Sequence, residues 1–333
     1  MTQIDILSVG DIVTDAFIKL DDDQAWTYKD EHGTNVLAMP FGTKVPFDEA
    51  QVIEAVGNAA NAAVSCARLG LNVAFETNLG GDQEGRDMIA KLNKEKVDHR
   101  FVHIHPDMKS NYHYVLRYKV ERTILIKHWD YPYHWPHFRP DEMPRWIYFS
   151  SISEHALPYH DQMADWLEEN PDVKLAFQPG TFQMEAGVER LKRLYARTEV
   201  LILNREEAVL VSGGNYDDLH GLLDKLHSFG PKIVVITDGP AGAYASNGNE
   251  RLKMPLYPDP APPVERTGAG DAFASTFVAA LAKGHNLESA LQWAPINSMS
   301  VVQKIGAQAG LLSEQGLEDW LSKAPEWYHA EPF

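Results

Sequence analysis

The run Arg266-Thr267-Gly268-Ala269-Gly270-Asp271-Ala272-Phe273 is the part of the chain best equipped for chemistry. Its small residues let a ligand approach the backbone closely, and it opens a helix-compatible stretch, 272–282, closed by Gly284. Successive amide N–H groups at a helix N-terminus face an anion with the positive end of the helix dipole behind them. That arrangement suits the charge developing on a transferring phosphoryl group. A carboxylate at position 271 is placed to accept the proton of an attacking hydroxyl. Taken alone, the same residues also describe an Asp-capped helix after a glycine turn.

The elements that must hold this run alternate between strand and helix patterns almost throughout. Residues 4–9 form a strand-like apolar run feeding Gly10-Asp11, and 57–69 carry small residues at helical spacing up to Gly70. Strands are predicted at 73–77, 146–150, 173–177, 200–203 and 233–237, with helices at 84–96, 162–169 and 185–196. Such alternation implies crossover connections and a mostly parallel sheet covered on both faces. Two regions depart from it. In 111–128, Tyr112, Tyr114, Leu116 and Tyr118 alternate with Asn111, His113, Arg117 and Lys119. That period of two, followed by Val120-Glu121-Arg122 and a second strand at 123–127, predicts a hairpin with one covered face. Region 11–47 is rich in turn signals and can add strands at 16–20 and 36–39. Together the two would form a small β-lid over the carboxyl ends of the main sheet, where open α/β folds bind ligands.

Composition sets limits. The 333 residues are 44% hydrophobic and 23% charged, ordinary for a globular chain, with a formal net charge of −17. An acidic balance of that size repels phosphate backbones and anionic membranes, so neither nucleic acid nor a lipid surface is expected as a partner. No stretch approaches the roughly 20 apolar residues of a membrane span, and without a secretory leader pattern a cytoplasmic location is the expectation. Cys66 is the single cysteine, so no intrachain disulfide can form, and its Ala-rich surroundings predict a buried thiol. The stretch 128–137 holds His128, His134 and His137 among prolines and aromatics. Their spacing is not that of a helical metal motif, and a packing loop is expected there.

Residues 267–273 resemble the C-terminal signature of the ribokinase-like (PfkB-type) carbohydrate and nucleoside kinase family. Gly57-Asn58-Ala59-Ala60-Asn61-Ala62-Ala63 resembles its N-terminal signature, about 200 residues earlier and in the right order. The resemblance covers nearly the whole chain and implies one kinase domain over 1–333. The implied fold is a three-layer α/β/α, ribokinase-like fold with a mostly parallel central sheet and a small β-lid, its lid segments about 11–47 and 109–128. It also implies ATP with Mg²⁺ and a small sugar acceptor. Asp271 would be the general base, with the amides of Gly268, Ala269 and Gly270 as the anion hole. Asp15, Gly57 and Asn61 would bind the acceptor. Asn204 and Glu207 would organise Mg²⁺, mainly through water, although Asn then Glu three later is also a helix-capping box. Thr237, Gly239 and Gly242 would follow the nucleotide, and Asn297, in the segment 297–308, would wall the adenine pocket. Gly80-Gly81-Asp82 is expected to be structural.

Three departures from the family pattern stand out. Val56 replaces the first glycine of a usual pair. Gln178-Pro179-Gly180 replaces Asp-Pro-Asn. Glu265-Arg266 replaces Asp-Thr, which puts in doubt the monovalent-cation (K⁺) site that some relatives build there. The alternatives to a sugar kinase are a nucleoside kinase, with Tyr112, Tyr114 or Tyr118 stacking on a base, and a non-catalytic binder that has kept the fold. A dinucleotide-dependent dehydrogenase would need Gly-x-Gly-x-x-Gly after the first strand, which is absent. The exposed hairpin edge is compatible with a homodimer through the lid.

Overall fold

Residues 3–119 and 121–333 are described by a computed structural model of the protein. The apolar runs become strands buried on both faces. In the first, Ile6–Val9, Ile6 belongs to the core on one side of the sheet, and Leu7 and Val9 to the core on the other. From this central strand the order runs one way through Val73–Gly80 and Asp98–His105. The other way it runs through Trp146–Phe149, Lys174–Phe177, Thr198–Asn204 and Ile233–Thr237. All these neighbours pair in parallel. Three antiparallel strands then extend the edge: Ala243–Ser246, Arg251–Met254 and Glu331–Pro332. The order therefore reverses between Ile6–Val9 and Trp146–Phe149, and the crevice at the carboxyl ends beside such a reversal is the usual ligand position.

Helices cover both faces. Asn58–Arg68, Ala269–Ala282 and Leu287–Val301 pack on one; Leu157–Glu169, Lys192–Arg197 and Leu219–His227 pack on the other. Among the described residues no helix is long and apolar enough to cross a membrane. Cys66 is fully buried and its thiol is pushed up to about 12 by desolvation.

The lid is a second sheet, ordered Phe47–Val56, Val13–Leu20, Tyr112–Tyr118, Glu121–Leu125. Its hairpin is antiparallel, and Val13–Leu20 pairs in parallel with Tyr112–Tyr118. Trp26–Lys29 and Asn35–Ala38 form a separate small hairpin. Several expectations need correction. The second strand of the lid hairpin begins at Glu121 rather than 123, and Val120, expected in its turn, lies outside the described residues. The lid continues to Val56, nine residues past the expected boundary, because Phe47–Val56 is mostly exposed on both faces and carries no apolar alternation. The strand Asp98–His105 was not anticipated. The single helix expected at 185–196 is two, Thr181–Arg190 and Lys192–Arg197, and the first is itself interrupted at Gly187, whose φ of 82° is not helical. Finally, the lid tyrosines do not share a covered face: Tyr114 is 48% exposed, while Tyr118 packs with Leu20 and Ala25.

Candidate active site

The crevice at the strand reversal is a cavity of about 660 Å³ bounded by the lid, the start of the Asn58–Arg68 helix and the start of the Ala269–Ala282 helix. Gly268 is the N-cap of the latter, with φ 81°. A β-carbon there would also lie 2.4 Å from that of Ala307, so only glycine fits. Asp271 sits in the first turn of this helix and is 8% exposed. Its Oδ1 accepts from Asn58 Nδ2 (2.8 Å) and Gln178 Nε2 (3.3 Å), and its Oδ2 from Asn61 Nδ2 (2.8 Å). Burial raises the carboxyl above its ordinary range, and the three amide hydrogen bonds, Asn61 first, work against that rise. The side chain is thus a desolvated, oriented carboxyl group at the positive end of a helix.

The surrounding residues fix the three donors. Gln308 Nε2 donates to Asn61 Oδ1 (3.1 Å) and to the Ala55 carbonyl (2.7 Å). The Tyr148 hydroxyl donates to Gln178 Oε1. Asn61 is therefore held at both ends, its Nδ2 on Asp271 and its Oδ1 on Gln308. Asn61 lines the cavity, as expected for an acceptor contact, and its amide also holds Asp271, a partnership the sequence did not reveal. Asn58, which the sequence reading passed over, does the same. The signal was present, because residues 58 and 61 are one helical turn apart and share a face. Gln178, noted only as a departure, is the third donor.

Gly268 and Gly270 line the cavity. The Ala269 N–H instead bonds back to the Arg266 carbonyl at 3.4 Å, so its expected place in the anion hole is at best shared with that long bond. On the lid side, Asp15 lines the cavity with Oδ1 3.3 Å from His113 Nδ1. His113 Nε2 is 3.2 Å from His128 Nε2, and His128 Nδ1 is 3.0 Å from Asp11 Oδ2. Asp11 Oδ1 accepts from the Tyr133 hydroxyl at 2.8 Å. The loop 128–137 thus packs on the body, as expected, with Tyr131, Tyr133 and Trp135 buried and His128 turned to the site. Gly57, with φ 109°, brings the chain so close that a β-carbon would lie 2.9 Å from the Asp11 carbonyl oxygen. Val56 is buried and lines the cavity beside it. Tyr112, Tyr114 and Tyr118 are not among the cavity-lining residues, so the stacking considered for them has no geometric support.

Across the cavity stand Asn204, Glu207 and Thr237. The capping box is real: Asn204 Oδ1 accepts from the Glu207 amide and Glu207 Oε2 from the Asn204 amide, each at 2.8 Å. Burial raises the Glu207 carboxyl, its bond to the Asn204 amide opposes this, and the charge of Asp271 raises it further. Glu207 Oε1 is left over from the box. A carboxylate oxygen of that kind suits Mg²⁺, which keeps most of its own waters; among the described residues no group of three or more His, Cys, Asp or Glu could hold a metal ion by itself. Gly239 and Gly242 lie in the turn after Thr237, held by an Asp238 amide bond to the Gly242 carbonyl (2.8 Å), and are not among the cavity-lining residues. Asn297 is a correction. It is fully buried, with Nδ2 2.8 Å from Thr276 Oγ1 and Oδ1 accepting from the Leu312 amide at 2.9 Å. It ties helices together and has nothing left to offer a nucleotide. Glu265 accepts from the Thr267 hydroxyl (2.7 Å) and the Gly306 amide (2.9 Å), a structural clamp. Asp82 caps the Gln83–Lys94 helix, as the structural expectation had it.

A family model described as pfkB family carbohydrate kinase matches residues 45–314. The chain is similar to an ATP-dependent 6-phosphofructokinase of Thermoanaerobacterium thermosaccharolyticum, 26% identical over 91% of this chain and 89% of that one. It is also similar to a fructokinase of Klebsiella pneumoniae, 28% identical over 80% of this chain and 89% of the other. Among solved structures it resembles the nucleoside kinase of Methanocaldococcus jannaschii, with a TM-score of 0.78, 18% identity and coverage of 97% and 99%. The ribokinase of Arabidopsis thaliana complexed with ribose and ATP gives a TM-score of 0.76 at 19% identity, with coverage of 96% and 99%.

Proposed function

This chain belongs to the pfkB family of carbohydrate kinases, and from that premise we propose that it moves the γ-phosphate of ATP to a hydroxyl of a small sugar, with Asp271 as general base. The observation that carries the reading is the Asp271 carboxylate, desolvated at a helix N-terminus and held by three neutral amide donors. Amide donors favour its ionised form against the effect of burial and aim it without adding a competing acid, which is what a proton acceptor in phosphoryl transfer needs.

In this reading Asp15 accepts the sugar hydroxyls, and Gly57 leaves room for the ring. Asp271 takes the proton of the attacking hydroxyl. The amides at Gly268 and Gly270 stabilise the charge on the migrating phosphoryl group. Asn204, Glu207 and Thr237 face the nucleotide, and Glu207 meets the waters of Mg²⁺, which would supply charge neutralisation at the phosphates. Lid closure excludes water and so suppresses hydrolysis. The reading puts the reaction in the cytoplasm, where ATP is at hand. It also includes a homodimer through the lid, supported by exposed Phe47, Val52 and Leu125 on the two edge strands.

The test is a coupled ADP-release assay over matched sugars and nucleosides, with and without K⁺. Sugar-dependent ADP release that disappears in Asp271→Asn is expected. Release only with nucleosides would transfer the reading to a nucleoside kinase, and none with any hydroxylated compound would reduce the protein to a binder.

A further inference from the structure

Among the described residues, ten arginines place their guanidinium groups on a carboxylate, a carbonyl or another side-chain acceptor. Arg68 on Glu95, Arg190 on Asp161 and Arg205 on Asp238 are examples. Arg117, Arg122 and Arg266 have no ion pair or side-chain hydrogen bond among the described residues, and all three line one cleft of about 470 Å³. Lys119 lines it too, its ammonium 5.0 Å from the Tyr118 ring centre. Two carboxylates share the cleft: Glu265, already bonded to the Thr267 hydroxyl and Gly306 amide, and Glu121 on the hairpin. In a chain of net charge −17, a cleft whose cations go unneutralised runs against the general field of the protein.

The geometry sharpens this. Arg117 and Arg122 are directly opposite each other across the lid hairpin, an arrangement that repels unless an anion lies between them. Arg122 and Arg266 also line the main cavity, so the cleft opens into the active site. Arg117 follows His113 by four residues along one strand, on the same face, and His113 pairs in register with Asp15. Arg117 and Arg122 therefore ride on the sheet that carries the acceptor-binding carboxylate, and Arg266 comes from the segment that leads into the Ala269–Ala282 helix.

We infer that this cleft is a phosphate subsite for the acceptor, so that the preferred substrate is a phosphorylated sugar, bound by its hydroxyls at Asp15 and by its phosphate between Arg117, Arg122 and Arg266. The inference rests on the kinase reading for the identity of the acceptor. A phosphomonoester dianion matches paired guanidinium forks in charge and geometry. Lys119 adds charge at the rim.

The experiment compares neutral sugars with their phosphate esters, by turnover and, independently, by calorimetric binding without ATP. The phosphate ester is expected to win by at least a hundredfold in kcat/KM. Arg117→Gln and Arg122→Gln should each raise its KM more than tenfold, against less than twofold for ATP, with Arg122→Lys recovering part of the loss. Preference for the neutral sugar, or unaltered ester binding in both Gln variants, overturns the subsite. A rise in the KM of ATP instead assigns the cations to the nucleotide and overturns it equally. Arginine-dependent ester binding without any turnover would sink the kinase reading while leaving the subsite standing, and folding of each variant is checked by its thermal midpoint.

Discussion

Asn61 Nδ2 lies 2.8 Å from Asp271 Oδ2, joining two helix starts that are 210 residues apart in the chain. Gln308 holds the other end of the same amide, which keeps Asn61 turned towards Asp271. One side chain thereby fixes both the aim of the carboxylate and part of its proton affinity.

Replacing Asn61 by Ala removes the largest effect opposing the burial of Asp271. The sign follows. Burial raises the carboxyl, the hydrogen bond lowers it, and loss of the bond leaves burial less opposed. The base works only when ionised, so the acid limb of kcat/KM against pH should move to higher pH in Asn61→Ala. A hydrogen bond to a charged group is worth about 1.5–3 kcal/mol, so activity below neutrality should fall by roughly tenfold or more. A limb that stays in place would mean that Asp271 is not the titrating base.

Asp271→Asn should bind ATP normally and lose turnover by about 10²–10⁴-fold, the usual range for a positioned acid–base group. Equilibrium nucleotide binding and single-turnover assays separate the two effects. Near-normal turnover would remove Asp271 from the chemistry.

The capping box allows a clean separation at the nucleotide side. Asn204→Ala takes away the cap of the Arg205–Ser212 helix and should cost about 0.5–2 kcal/mol of stability. Glu207→Gln keeps an oxygen for the Asn204 amide and so should leave the thermal midpoint nearly unchanged. On the proposed reading it loses a charge that would meet the waters of Mg²⁺, and the Mg²⁺ concentration for half-maximal rate should rise severalfold. If Glu207→Gln alters stability alone, the residue is only a cap.

How much of this was legible beforehand depended on what each residue answers to. The mostly parallel sheet was legible in apolar runs such as Ile6–Val9, because strands buried on both faces leave a nearly continuous pattern, whereas the order of its strands was not. Phe47–Val56 left none, since the lid covers a cavity rather than a core. Residue types at the chemical centre were readable: Asp271 and Gly268 satisfy local demands, a helix start and a close approach. Partnership across the fold was not. Nothing near Asn297 in sequence reveals that Thr276 and the Leu312 amide will consume its side chain, and nothing near Gln178 reveals Asp271. The lid alternation was real, but its apolar half is not the half that faces the ligand: His113 lines the cavity while Tyr114 faces outward.

Glu76 gives a stability prediction with a definite sign. It is fully buried on the Val73–Gly80 strand, accepts from the Tyr159 hydroxyl, and has its other oxygen 3.9 Å from His103 Nε2. Burial pushes its carboxyl up to about 8; the Tyr159 bond lowers it somewhat and the charge of Asp11 raises it. In the unfolded chain a glutamate titrates near about 4.3. Between these limits the unfolded state gives up its proton while the folded state keeps it, so stability falls as pH rises, by at most about 1.4 kcal/mol per pH unit. Above the folded value the loss levels off. Glu76→Gln retains an acceptor for Tyr159 and has no charge to bury. The variant should therefore be the more stable protein at pH 8, and its advantage should shrink steadily as the pH falls towards 5. Thermal midpoints of both proteins across that range measure the difference directly, and an advantage that is absent at pH 8, or that grows towards pH 5, would show that Glu76 is ionised and well solvated in the native fold.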